Sequence, residues 1–319
     1  MKLVLTSAEG EAHFDAVLRD LPIPDLEIVK ALDRETALQA VADADVIYGL
    51  VSPELIAAAP KLRWFQASSA GVEAAARMPE LVERDIILTN TRGAHGPSIG
   101  EHVFALLFAL TRFMPACLER QRAHRWDRGD LYRAVREING GTMGLIGYGA
   151  IGRATAQRAV GFGMTVIAVD AQAVPPDANV AEVWPTSRID DLLRQSDVVV
   201  VTAPLTAETN HLLDAERLAR MRPDAYLIVV SRGGIVDEQA LADALVAGRI
   251  AGAGIDVAEM EPLPADSPLW DAPNLVITPH MAGASSEKER RCVEILRDNL
   301  IRFTNGEPLV NVVDKTRGY

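Results

Sequence analysis

A chain of 319 residues is long enough for two domains of ordinary size, and 49% hydrophobic with 5% aromatic residues suits an Ala- and Val-rich α/β protein. A net charge of −12 argues against a nucleic-acid partner, because phosphate binding needs a basic face. It leaves an anionic small molecule open, since a local site can be basic on an acidic protein. Cys117 and Cys292 stand far apart without metal-ligand spacing, which fits a reducing compartment and no metal. The start MKLVLTSAEG has too short an apolar run for a signal peptide, and the longest central apolar block, Val103 to Leu110, is too short to cross a bilayer. A cytoplasmic protein with no membrane partner is expected.

The first ninety or so residues alternate strand and helix signals. Leu3 to Leu5, Glu27 to Val29, Val46 to Val51, Leu62 to Gln66 and Ile86 to Thr89 read as short strands. Gly10 to Asp20, Thr36 to Ala42 and Pro53 to Ala59 read as helices between the first four. Such alternation makes a parallel sheet covered on both faces. No glycine-rich phosphate loop opens any of these helices, so this lobe reads as a partner to a nucleotide-binding domain.

Pro97-Ser98 opens a strongly apolar helix, Ile99 to Phe113, which stops near Pro115 and is followed by an Arg-rich arm, Glu119 to Glu137, carrying Trp126. The pair reads either as a dimer contact or as a buried crossover helix with a solvated arm.

The most informative stretch comes next. Met143 to Ile146 reads as a buried strand, and Gly147-Tyr148-Gly149-Ala150-Ile151-Gly152 fits Gly-x-Gly-x-x-Gly. A helix to Gly163, a strand from Thr165 to Val169 and Asp170, 18 residues past the last glycine, complete the dinucleotide-binding fingerprint. In that motif the first glycine permits a tight turn, the second lets backbone approach a pyrophosphate, and the third lets helix and strand pack closely. The pyrophosphate sits on unpaired N–H groups at the helix start. Asp170 would accept hydrogen bonds from the ribose of NAD and repel a 2′-phosphate; with Ala171 and Gln172 following it, no Arg stands ready for NADP.

Strands follow at Asp197 to Thr202, Tyr226 to Val230, Gly254 to Val257 and Leu275 to Ile277, with helices at Ile189 to Gln195, Asp214 to Met221 and Asp237 to Ala247. An amphipathic helix, Ser286 to Thr304, leads to a tail, Pro308 to Val313, too short to be a domain and expected to pack back on the first lobe. The division expected is residues 1–97 plus 285–319 against 98–284, both Rossmann-like or flavodoxin-like parallel-sheet domains, with an active-site cleft between them.

Ligands of open parallel sheets bind outside the carboxyl ends of the strands. Six such ends carry turn-forming or polar groups: Gly147, Asp170, Ala203-Pro204, Ser231-Arg232-Gly233-Gly234, Asp256 and Thr278-Pro279-His280. Arg232, before a Gly-Gly pair, suits a bidentate grip on a carboxylate. His280 is fixed between Pro279 and Met281-Ala282-Gly283 and is the side chain best poised to exchange a proton near neutrality. Glu261 or Glu259 could pair with it and favour the protonated imidazole; spacing alone does not choose between them. His102, beside Glu101, reads as a packed or helix-paired histidine, while His95 and Arg92 lie in a loop that could face a substrate. His13, His124 and His211 have no companions suggesting chemistry.

Taken together these motifs resemble the D-isomer-specific 2-hydroxyacid dehydrogenases over nearly the whole chain. Trp64-Phe65-Gln66 leading to Ser69-Ala70-Gly71-Val72 resembles the family's substrate loop, and Glu101-His102-Val103 its interdomain helix. Gly140 to Gly163 resembles its fingerprint; Ala203-Pro204-Leu205-Thr206 with Thr209-Asn210-His211 resembles its next signature. Ser231-Arg232-Gly233, Asp256-Val257 with Glu261-Pro262, and Thr278-Pro279-His280 with Ala282-Gly283 resemble its Arg, Glu and His segments.

The resemblance implies NAD as cofactor, held around Gly147, Gly149, Ala150, Ile151, Gly152, Asp170, Thr202, Ala203, Pro204, Val230, Ser231, Arg232, Asp256, His280 and Gly283. It implies a small 2-oxoacid such as glyoxylate, hydroxypyruvate or pyruvate, held by Ser69, Ala70, Gly71, Arg232 and His280, and a homodimer. It maps the family's acid to Glu261, which precedes the proline, and gives Asp256 the nicotinamide carboxamide. Val229 stands where the family usually has Asn, and Gly100 where it usually has Ala. The same fold also serves NAD-sensing corepressors, which is the alternative reading.

Overall fold

Short apolar strands separated by helices pair in parallel throughout, because each crossover returns the chain to the same end of its sheet. The computed structural model describes residues 1–50, 52–76 and 78–315. The chain opens with β1 (Lys2–Leu5), α1 (Glu11–Val17), β2 (Glu27–Lys30), α2 (Arg34–Ala40), β3 (Val46–Gly49) and α3 (Pro53–Ala58). It continues through β4 (Trp64–Ala67), α4 (Glu73–Ala76), α5 (Pro79–Val82) and β5 (Ile87–Thr89). Next come α6 (Gly96–Thr111), α7 (Met114–Arg122), α8 (Leu131–Ala134), β6 (Thr142–Ile146), α9 (Ala150–Gly161), β7 (Thr165–Asp170) and β8 (Glu182–Pro185). The remainder is α10 (Ile189–Gln195), β9 (Val198–Val201), α11 (Ala215–Leu218), β10 (Tyr226–Val229), α12 (Glu238–Val246), β11 (Gly252–Ile255), β12 (Leu275–Ile277) and α13 (Ser286–Asn305). The contacts divide this chain into two compact units, Met1–His95 with the chain from Ala284 onward, and Gly96–Gly283.

The first unit is a five-stranded sheet in the order β2-β1-β3-β4-β5. Its helices start on local caps: Asp33 accepts from the Thr36 N–H, and Ser52 from the Leu55 N–H ahead of Pro53. The strand expected to reach Val51 ends at Gly49, and Val51 lies outside the described residues. One face buries Ile47, Phe65 and Leu88 against Ile56 and Leu81. The other buries Leu3, Leu5, Tyr48 and Trp64 against Phe14 of α1 and Val293, Leu296 and Leu300 of α13. A buried polar chain fixes how α13 docks. Trp64 Nε1 donates to Thr89 Oγ1 (2.7 Å), Thr89 donates to Gln66 Oε1 (2.8 Å), and Asn299 Nδ2 donates to the same oxygen (3.0 Å). Asn299 also accepts from the Val310 N–H, and Val313 N–H donates to Leu88 O, so the tail lies along β5.

The second unit is a seven-stranded parallel sheet in the order β12-β11-β10-β9-β6-β7-β8. α6 and α9 cover one face and α10, α11 and α12 the other. Val103, Phe104, Leu107 and Leu110 of α6 are buried among Met143, Leu145, Ala156 and Val200, so this apolar helix is core of its own unit. Of the two readings of this helix, the burial matches the crossover helix. The departure at Gly100 has a physical reason: a Cβ there would lie 3.2 Å from Ala154 O of α9, and one at Gly96 3.1 Å from Ala150 O. β8 was not anticipated, because a four-residue edge strand ending in Pro185 carries little periodic signal. Among the described residues no single helix is long and apolar enough to cross a membrane; α6 and α7 reach that length only together, across a 64° bend.

Replacing Asn299 by Leu leaves the Val310 N–H without its acceptor and removes a donor from Gln66. A loss of about 1–3 kcal/mol is expected, read as a lower urea midpoint; an unchanged midpoint would remove this network from the account of α13 docking.

Candidate active site

All seven strands of the second unit being parallel, their carboxyl ends share one edge, and the sheet order reverses between β6 and β9. That reversal is where an open α/β sheet forms its ligand crevice. Gly147 follows β6 with φ +100°, and a Cβ on it would lie 2.7 Å from the Ala203 nitrogen. A Cβ on Gly152 would overlap Gly147 O, so the helix can approach the strand only without one. Gly149 differs, because a Cβ there meets nothing within 4 Å. The protein's own packing does not require that glycine, and the backbone there is open to approach.

α9 starts immediately afterwards with no side-chain cap, leaving the first-turn N–H groups at Ala150, Ile151 and Gly152 to an outside acceptor. At the end of β7, Asp170 accepts from the Tyr148 N–H (2.7 Å) and the Gln172 N–H (2.8 Å), which fixes its carboxylate beside the turn. The Tyr148 hydroxyl donates to Asp177 (2.8 Å), and Arg153 pairs with Asp177 while lying over the Tyr148 ring (4.6 Å). Thr202 spends its hydroxyl on Gly147 O (2.7 Å), so it shapes the turn. Pro204 O accepts from Thr209, and Ser231 Oγ, beyond β10, is buried without a hydrogen-bond partner. These features fit a dinucleotide: an uncapped helix start, an open glycine, an acid at the next strand end and a buried unpaired hydroxyl.

The chemistry-bearing side chains lie on the same edge. Val229 is buried in β10 between Val201 and Ile255, which suits an apolar residue where Asn is usual. Arg232 follows, its guanidinium donating to Ser231 O at 2.8 Å. A Cβ on Gly233 would overlap Ala258 O, so the loop carrying Glu259 and Glu261 rests directly on the Arg232 backbone segment. His280 Nδ1 and Glu261 Oε2 are 2.6 Å apart, and the other Glu261 oxygen accepts from the Ala258 N–H (3.1 Å). The structure decides between the two acids: Glu259 instead meets His211 Nε2 at 3.4 Å, giving that histidine a companion that spacing did not reveal. Burial alone would push the Glu261 carboxyl up. The hydrogen bonds from His280 and the Ala258 N–H, with the charges of His280 and Arg232, outweigh it and hold the carboxyl below the ordinary glutamate range.

His280 has φ +50°, a left-handed conformation uncommon for a residue with a Cβ. Asp256, 1% exposed, holds its turn: its Oδ1 accepts from Thr278 Oγ1 (2.6 Å) and the Met281 N–H (2.9 Å), its Oδ2 from the Ala282 N–H (2.8 Å), and its backbone oxygen from the His280 N–H (2.8 Å). Gly283 O accepts from Ser98 of α6.

In the first unit, Ser69, Ala70 and Gly71 follow β4 at that sheet's carboxyl edge. Ser69 Oγ donates to Gly71 O (2.9 Å), Asn90 Nδ2 to Ala70 O (2.9 Å), and the Thr91 N–H to Ser69 O (3.1 Å). His95 is partly enclosed; burial first, then Lys288, push its imidazole down to about 4.

The family model for the NAD-binding domain of D-isomer specific 2-hydroxyacid dehydrogenases matches residues 104–282. The chain belongs to that family. It is 37% identical to a glyoxylate/hydroxypyruvate reductase B of Pectobacterium carotovorum, over 92% of this chain and 91% of that protein. A D-isomer specific 2-hydroxyacid dehydrogenase family protein of Aeromonas salmonicida has the same fold with a TM-score of 0.88 and 35% identity, covering 98% of this chain and 99% of that one. A family member from Xanthobacter autotrophicus, solved with NADPH and MES, superposes with a TM-score of 0.83 at 29% identity, covering 100% and 99%. As a member of the family the chain is an oxidoreductase with a nicotinamide-dinucleotide domain. Among the described residues no group of three His, Cys, Asp or Glu side chains is placed to hold a metal.

Proposed function

We propose that this chain reduces a small 2-oxoacid of the glyoxylate or hydroxypyruvate kind to its D-2-hydroxyacid, with NADH as cofactor. One observation carries the reading: the 2.6 Å contact between His280 and Glu261, at the sheet edge that also holds the glycine cradle. When bound, the reduced nicotinamide supplies the hydride. Glu261, ionised through the neutral range, accepts the Nδ1–H of His280, which leaves Nε2 as the nitrogen that gives a proton to the substrate oxygen. Arg232 takes the substrate carboxylate through its guanidinium, and the backbone N–H groups of Ser69, Ala70 and Gly71 are proposed as a further carboxylate holder. Asp256, with its carboxylate bound to the turn that carries His280, keeps that imidazole in place, and Oδ2 retains acceptor capacity for the cofactor's carboxamide. The relative named for glyoxylate and hydroxypyruvate supports the substrate class.

The choice of NAD rests on Asp170, whose carboxylate would meet a 2′-phosphate, with Asp177 close by on Tyr148. We further propose a homodimer formed through the arm after α6, where Met114, Leu118, Trp126 and Tyr132 are exposed.

A panel of 2-oxoacids followed by nicotinamide absorbance tests the activity; binding of the dinucleotide with no turnover of any 2-oxoacid would favour the corepressor-like reading. His280→Ala should lower kcat by roughly 10²–10⁴-fold, the usual range for a general acid, with NADH affinity nearly unchanged, and full activity in that variant would remove His280 from the mechanism. The kcat/KM with NADH should exceed that with NADPH; the reverse preference would overturn the role given to Asp170. Light scattering should find two copies at micromolar concentration, falling to one on Trp126→Glu, and a wild-type monomer would end the dimer proposal.

A further inference from the structure

α6 carries a histidine that neither the glycine cradle nor the proton-transfer pair accounts for. Glu101, its neighbour, is taken by Arg158 of α9 at 3.0 Å, so His102 is not paired along its own helix. Its Nε2 lies 2.8 Å from Thr278 Oγ1 and 3.5 Å from Asp256 Oδ1, and its side chain is largely buried. Thr278 Oγ1 lies in turn 2.6 Å from Asp256 Oδ1.

The protons along this line follow from counting. A hydroxyl has one hydrogen, and the short contact to a carboxylate that also accepts two backbone N–H groups assigns it to Asp256. Thr278 Oγ1 is then an acceptor toward His102, and Nε2 is the ring nitrogen that carries hydrogen. The line therefore runs in one direction, from His102 Nε2–H to Thr278 to the Asp256 carboxylate. The hydroxyl has a second acceptor, Ile255 O at 3.5 Å. A donor on its lone pair from the His102 side keeps it aimed at Asp256.

We propose that His102 is a positioning residue for the reaction, acting through Thr278 and Asp256 to hold the turn that presents His280. The claim rests on the reading of His280 as the proton donor. It gives α6 a function beyond core packing: the helix that buries Val103 and Leu107 in the sheet also steadies the left-handed backbone at His280. Ser98, one turn earlier on α6, bonds Gly283 O at 3.3 Å, so the same helix grips the segment 278–283 at both ends.

The test compares His102→Leu, His102→Gln and His102→Asn in the full chain, with thermal melting as a folding control. A glutamine amide nitrogen reaches the position of Nε2, whereas an asparagine amide reaches only that of Nδ1. Leu and Asn should lower kcat by about 10- to 100-fold, the scale of a misplaced catalytic group, with NADH affinity unchanged; Gln should restore most of it. Independently of turnover, the proton on His280 Nδ1, hydrogen-bonded to Glu261, should give a downfield NMR signal that shifts or vanishes in Leu and Asn and returns in Gln. An unchanged signal and kcat in Leu, or Asn equal to Gln, would overturn the proposal. If His102→Leu fails to fold, Thr278→Val breaks the same line, and Thr278→Ser should restore it. A wild-type protein that reduces no 2-oxoacid would count against the function proposed for His280, while the NMR signal alone would still decide the role of His102.

Discussion

Parallel pairing is the constraint on which the rest of this molecule depends. A strand that must run beside its neighbour in the same direction forces the chain to cross over a face of the sheet, and every strand then ends at one edge. In the second unit that edge collects seven chain exits, so neighbouring loops leave it close together. At two places one backbone rests on another, Gly147 against Ala203 and Gly233 against the Ala258–Glu259 segment. The first contact shapes the nucleotide cradle, and the second sets the height of the loop bearing Glu261. Glycine at both positions is therefore a demand of sheet geometry, whereas a Cβ on Gly149 would meet nothing within 4 Å.

The two acids of that loop show how such an edge manages charge. Glu259 and Glu261 stand two residues apart, yet each faces a different histidine, and Glu261 also accepts the Ala258 N–H. Neither carboxylate has to share a partner with the other, so Glu261 can stay ionised below its ordinary range despite burial. The buried Asp256 is settled in another way, by three donors from the single turn it holds.

Much of this was legible in the residues because the signals are local. The glycine triplet, the acid at the end of β7 and the polar groups after each hydrophobic strand fall within a few residues of the elements that place them. Both parallel sheets followed from the strand and helix alternation. What was not legible depends on separation in the chain. His102 and Thr278 are 176 residues apart, and His211 and Glu259 are 48 apart, so neither contact leaves a trace in spacing. Spacing did not separate Glu259 from Glu261; the resemblance pointed to Glu261, and what each acid touches agrees with it. The apolar helix α6 was left open between a dimer contact and a buried crossover helix, because hydrophobicity does not say which protein a helix packs against. α4, α5, α7, α8 and β8 are short or polar, with too few periodic positions to register.

The threading of the first unit has a consequence for synthesis on the ribosome. The second unit is one unbroken stretch, Gly96–Gly283, and can complete its sheet as soon as it has emerged. The first unit begins earlier but lacks one wall until α13 is made: Leu3, Leu5, Tyr48 and Trp64 have no Val293, Leu296 or Leu300 to cover them. The earlier part of the first unit thus waits for α13, and this apolar sheet face stays without that cover while the whole second unit is made.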